Sequence, residues 1–234
     1  MAVSCELKPH NSKLETLMPV RVKICCMKNI SEVELAIRSG ASALGFVSAM
    51  PSGPGPIPED LIAGLIARVP ATISTFLLTS KQDAPSIIDQ QRRMQPNALQ
   101  LVDSVSMDTY RILRTELPTV ALVQVIHVNG EESLEYARSI ASFVDAVLLD
   151  SGNPNLPIKE LGGTGRVHDW SISKKICESL SIPVYLAGGL NPANVAEAVR
   201  FVRPFAVDVC SGVRTNGDLD AARLSRFFEE VRSV

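Results

Sequence analysis

The chain has 234 residues with a formal net charge of −2; 46% of them are hydrophobic and 21% charged. That balance predicts a globular chain with its own core, excludes a disordered or fibrous one, and provides no broad basic footprint for nucleic acid. The 5 cysteines show no CxxC and no pairing rhythm, which points to a reducing, cytoplasmic setting and not to a secreted disulfide scaffold. Residues 1–20 mix Glu6, Lys8, Lys13 and Glu15 with polar residues. They read as an N-terminal extension without the apolar run of a signal peptide, and no stretch approaches a membrane span.

From residue 21 onward, β-branched or apolar runs alternate with runs of helical period. Residues 21–26 are the first predicted strand and 31–39 the first helix. Strand 43–49 and helix 58–69 follow, then strand 71–79 and helix 85–94, then strand 98–103 and helix 107–115. Strand 120–128 precedes helix 131–142, and strand 146–151 leads through a long loop into helix 171–180. The last units are strand 183–189 with helix 192–202, and strand 206–212 with helix 221–231. Ala146-Val147-Leu148-Leu149 is apolar throughout, as strands covered on both faces are. Ser31 stands three before Glu34, a capping-box spacing, and Asn191-Pro192 offers an N-cap followed by a first-turn proline. Eight such units predict an α/β chain folded as a single (β/α)₈ barrel domain over 21–234. An open doubly wound sheet is the competing architecture, and no GxGxxG follows the first strand.

In a barrel the chemistry sits at the C-terminal ends of the strands. Gly188-Gly189 ends the seventh strand and Ser211-Gly212 the eighth. Each pair reads either as a tight turn or as a place where backbone N–H groups approach a phosphate. Asp150 ends the sixth strand, as a general acid or as the cap of an Asx turn. Cys25 ends the first, as an inert buried thiol or as a base or nucleophile beside Lys23. Alternation puts Lys23 and Cys25 on one face and Cys26 on the other. Lys23 and Asp208 both sit two before a mouth residue on strands that become neighbours, which predicts a buried ion pair beneath Cys25. Gly163, Thr164 and Gly165 lie in the long loop after the sixth strand, a connector or a cover for the substrate. The histidines, His10, His127 and His168, have no metal-ligand spacing.

Lys23-Ile24-Cys25, Ala43-Leu44-Gly45-Phe46-Val47, Leu148-Leu149-Asp150-Ser151, Gly162-Gly163-Thr164-Gly165, Asp169-Trp170, Leu186-Ala187-Gly188-Gly189-Leu190 and Val207-Asp208-Val209 with Ser211-Gly212-Val213 occur in that order. Together they resemble the phosphoribosylanthranilate isomerases of tryptophan biosynthesis. The resemblance implies a cofactor-free (β/α)₈ barrel that performs an Amadori rearrangement on a small phosphorylated sugar substrate. By the same resemblance Asp150 is the general acid that opens the furanose ring, and Cys25 the general base that removes the C2′ proton. The alternative is a diverged barrel that binds another phosphorylated sugar; a pure interaction scaffold would not need this residue set. Oligomeric state is not legible.

Five departures from the family pattern stand out. Cys26 occupies a position usually glycine, where a left-handed backbone costs a β-carbon about a kcal/mol or more. The loop after the second strand, Met50-Pro51-Ser52-Gly53-Pro54-Gly55-Pro56, lacks the arginine that binds the anthranilate carboxylate. Lys81 is the expected substitute cation, with Arg214 expected beside the phosphate. The usual Gln-Leu-His-Gly is Gln100-Leu101-Val102-Asp103, a usual lysine is Gln124, and Ser-Ser-Gly-Val-Glu has become Cys210-Ser211-Gly212-Val213-Arg214.

Overall fold

The computed structural model describes residues 19–153, 156–161 and 165–234. Residues 1–18 of the expected N-terminal extension, and Gly163 and Thr164 of the long loop, lie outside the described residues.

Alternation along the strands decides the architecture. In β1 (Arg21–Ile24), Val22 and Ile24 pack outward among the helices, while Lys23 is buried on the opposite face. The chain continues through α1 (Ile30–Ser39), β2 (Ala43–Val47), α2 (Glu59–Ile66), β3 (Ser74–Thr79) and α3 (Ala84–Met94). Then come β4 (Ala98–Leu101), α4 (Met107–Glu116), β5 (Ala121–His127), α5 (Glu132–Ile140), β6 (Ala146–Asp150) and α6 (Trp170–Ser179). β7 (Val184–Leu186), α7 (Val195–Val202), β8 (Ala206–Val209), a hairpin of β9 (Arg214–Thr215) and β10 (Asp218–Leu219), and α8 (Ala221–Arg232) complete it. The eight long strands pair in parallel in sequence order, and β8 pairs with β1, so the barrel is closed. That is the predicted (β/α)₈ arrangement, and it leaves no open sheet edge.

Two apolar layers result. The outer one lies between strands and helices; the inner one fills the lumen with small residues such as Ala43, Ala98, Ala146 and Ala206 around Phe76 and Tyr185. Those two rings meet edge to face with centroids 5.7 Å apart, the favoured aromatic geometry.

Two helix starts differ from the sequence reading. Asn29, not Ser31, caps α1: its side chain accepts from the Glu32 N–H at 3.0 Å. Glu32 is turned inward by a buried partner, which fixes the first turn there. Asn191 accepts from the Ala193 N–H at 2.8 Å, so it caps a separate turn, and α7 begins after Asn194. The predicted strands also run past the observed ends at Ile24, Leu101 and Leu186. Cys25, Val102 and Ala187 stay buried at the mouth although the ladder has ended. Among the described residues no helix is long and apolar enough to cross a membrane.

Candidate active site

The lumen polar pair forms as the sequence predicts. Register places Lys23 opposite Asp208, and Lys23 Nζ lies 2.9 Å from Asp208 Oδ2 with the side chains 0% and 7% exposed. Burial works against the ammonium, but Asp208 outweighs it and holds the lysine pKa above its ordinary value. Gly45 on β2 makes room for this arrangement: a Cβ there would stand 2.8 Å from Cys25 Sγ and 3.2 Å from Lys23 Nζ.

Above the pair, one cavity opens at the C-terminal mouth. Cys25, Asp150, Gly165, Gly188, Gly189 and Ser211 all line it. Cys25 is fixed by its N–H, which donates to the Val209 carbonyl at 2.9 Å. Asp150 both faces the cavity and accepts from the Ser151 N–H at 2.7 Å, so one side chain caps the turn and borders the cavity. The barrel order β6-β7-β8-β1 sets thiol and carboxylate on either side of the two glycine-bearing turns.

Those turns require their glycines. Gly188 and Gly189 have φ of 79° and 64°, and a Cβ on Gly189 would lie 2.6 Å from the Arg166 carbonyl carbon. Gly212 packs on the Leu190 carbonyl, where a Cβ would stand 1.9 Å away, and does not itself line the cavity. The two turns therefore touch through backbone alone.

Three sequence expectations are corrected. Cys26 does not face away from the cavity; it lines it beside Cys25. The ladder ends at Ile24 and Cys26 adopts φ of 65°, so strand alternation no longer governs its direction. Its thiol donates to the Pro54 carbonyl at 3.7 Å and touches Cys210, with the sulfurs 2.7 Å apart. Arg214 does not border a phosphate. It is buried, forks onto Glu32 at 2.7 and 2.9 Å, and donates to the Cys26 carbonyl at 2.6 Å and the Cys25 carbonyl at 3.3 Å. Lys81 is exposed and is not among the cavity-lining residues. Gln124 faces α4, accepting from Tyr110 at 2.6 Å and donating to the Leu101 and Asp103 carbonyls at 3.0 Å, so it has no free group for a ligand.

His168, which has no metal-ligand spacing in the sequence, lies close to the mouth. Its Nδ1 would lie 2.9 Å from a Cβ on Gly188, and its Nε2 is 2.7 Å from Ser173 Oγ. Burial lowers its pKa, opposed by the charges of Asp150 and Asp169. Its place in the long loop, eighteen residues beyond Asp150, left no periodic signal. Pro54, Gly53, Ser52 and Met50 form the wall next to Cys26, and none of the described lining residues is Lys or Arg.

A closed (β/α)₈ barrel whose mouth gathers a thiol, a carboxylate and two glycine turns is an enzyme scaffold suited to acid–base work on a compact polar ligand. The comparisons make this specific. The profile of the family described as N-(5′-phosphoribosyl)anthranilate (PRA) isomerase matches residues 22–230. The N-(5′-phosphoribosyl)anthranilate isomerase of Methanosarcina acetivorans is 34% identical over 232 residues, covering 93% of this chain and 95% of that protein. That of Methanocella arvoryzae is 35% identical, covering 91% and 98%. Among solved structures, phosphoribosyl anthranilate isomerase from Thermotoga maritima superposes with a TM-score of 0.78 at 29% identity, covering 92% of this chain and all of that one. Another phosphoribosyl anthranilate isomerase, solved with reduced 1-(o-carboxyphenylamino)-1-deoxyribulose 5-phosphate, matches with a TM-score of 0.75 at 27% identity over 92% and 100% of the two chains. The chain belongs to the N-(5′-phosphoribosyl)anthranilate isomerase family.

Proposed function

We propose that this protein carries out the isomerase reaction of tryptophan biosynthesis with Asp150 as general acid and Cys25 as general base. Asp150 protonates the furanose ring oxygen of N-(5-phosphoribosyl)anthranilate, and the ring opens to an iminium. Cys25 then removes the C2′ proton, and the resulting enolamine tautomerises to the aminoketone. The phosphate binds between Gly188-Gly189 and Ser211, which line the cavity, while Gly212 lets the second turn pack against Leu190 and so holds Ser211 in place. Gly165, in the long loop after β6, lines the cavity and meets the sugar, and the Lys23–Asp208 pair supports the thiol from below. The barrel over 21–234 works as one domain in the cytoplasm, with no nucleic-acid or membrane partner.

The observation that carries this assignment is that Cys25 and Asp150 line one cavity with Gly189 and Ser211. The test is rescue of a tryptophan auxotroph that lacks the isomerase. Growth without tryptophan is expected for the wild-type chain and not for Cys25→Ser. A soluble, well-expressed wild-type protein that gives no growth would overturn the assignment.

A further inference from the structure

Three residues that depart from the family pattern meet in space. Cys26 follows β1, Cys210 follows β8, and their sulfurs are 2.7 Å apart, closer than unbonded sulfurs normally pack. Both are free thiols and both line the cavity, so a small solute reaches them through the mouth. The third residue, Arg214, grips the carbonyls of Cys25 and Cys26 and so fixes the turn that aims Cys26 at Cys210. A disulfide needs an S–S distance of about 2.05 Å, so bonding asks for a movement well under 1 Å. The Cys26 thiol also borders that of Cys25, while Cys177 lies elsewhere, on α6.

We propose that Cys26 and Cys210 are a redox-active dithiol, which a hydroperoxide oxidises to a reversible disulfide across the β1–β8 seam while Cys25 remains a free thiol. Cys210 is the first to react. Its contact with Cys26 lowers its pKa, burial opposes this, and the Arg214 charge assists. The Cys210 thiolate attacks the peroxide, the O–O bond breaks, and sulfur gives up two electrons; the departing oxygen takes a proton and leaves as water or alcohol. The Cys26 sulfur then attacks the Cys210 sulfenic sulfur. The S–S bond forms, the S–O bond breaks, and the oxygen leaves as water with the Cys26 proton. Pairing of Cys25 with Cys26 is disfavoured because it would close a small ring across a planar trans peptide bond. The contact of Cys26 with Cys210 has no such constraint.

The test is peptide mapping after brief exposure of the folded protein to one equivalent of hydrogen peroxide, with alkylation of the remaining thiols. The expected product has lost two hydrogens, carries a Cys26–Cys210 link, keeps Cys25 alkylatable, and returns to the starting mass with dithiothreitol. Cys26→Ala, checked by circular dichroism, should accumulate Cys210 sulfenic acid, read as dimedone labelling at least tenfold above wild type. Loss of Cys25 as the first thiol, or no loss of hydrogens from folded wild type under conditions that oxidise a free dithiol, would overturn the proposal. Neither readout uses isomerase activity, so it stands or falls apart from the catalytic assignment.

Discussion

Lys23→Met deletes the ammonium in the barrel floor, keeps most of the side-chain volume, and strands Asp208. At the observed 2.9 Å separation, the attraction is about 6 kcal/mol for an effective dielectric of about 20. Desolvation of two buried ions offsets much of that, so the intact pair has a small net value. Breaking it is different, because an uncompensated charge is left where water cannot reach; the expected cost is about 3–5 kcal/mol. Lys23→Met/Asp208→Leu, which removes both charges, should regain most of the loss. Burial raises an unpaired carboxyl, so the single variant's deficit should shrink as pH falls from 7 toward the unfolded aspartate value of about 3.9. The sign follows from linkage: a carboxyl whose folded pKa is raised is tolerated at low pH and costs stability as pH rises through that value. Urea unfolding of wild type and both variants, followed by circular dichroism and extrapolated linearly, measures all three. A single-variant loss below about 1 kcal/mol, or a double variant no more stable than the single, would mean that water reaches the pair and that the lumen is not dry.

Other outcomes follow from the mouth. Cys25→Ser and Asp150→Asn should each lower kcat by about 10²–10⁴-fold in steady-state assays with phosphoribosylanthranilate, and Cys26→Ser by less. Equal losses at both cysteines would show that the base is wrongly chosen. Pro54→Arg places a guanidinium in a wall that has no described cation. A carboxylate contact of about 1.5–3 kcal/mol should then raise kcat/KM by roughly ten- to a hundred-fold; an unchanged value would mean the anthranilate carboxylate is recognised elsewhere. For Glu32, burial opposes the charge and the Arg214 guanidinium outweighs it, so its pKa is lowered. Its stabilisation is complete above the ordinary glutamate value of about 4.3 and is lost as pH falls below it. Arg214→Met should therefore be destabilised most near neutral pH and least in acid, a trend that unfolding curves from pH 3 to 7 would expose or refute.

The barrel was legible because its strands are apolar on both faces while the lumen side of β1 and β8 carries one charge each. Alternation alone therefore paired Lys23 with Asp208 across 185 residues of chain. Cys25, Asp150 and the glycine turns were legible for a related reason: strand ends are where a barrel exposes its backbone and polar side chains. Cys26 was not, because a left-handed residue at φ of 65° breaks the alternation that assigns faces. Arg214 was misread because its partner Glu32 lies 182 residues away, and a single long-range ion pair leaves no periodic trace. Strand ends were overrun where buried Cys25, Val102 and Ala187 continue an apolar pattern after the ladder stops.

The β1–β8 seam also sets when the protein can begin to work. Arg21 pairs with Ala206 and Ile24 with Val209, so one edge of the first strand has no neighbour until the last strand has been made. At about 5–20 residues per second, a ribosome leaves that edge uncovered for roughly 10–40 s. Cys25 waits as well, since the carbonyl that holds its N–H belongs to Val209. Until then any sheet built on β1 has an unpaired edge, the kind of edge that can template foreign strands. The mouth is incomplete until Val209, Cys210 and Ser211 have been added, so a chain cut short before residue 206 lacks the whole β8 side of the cavity.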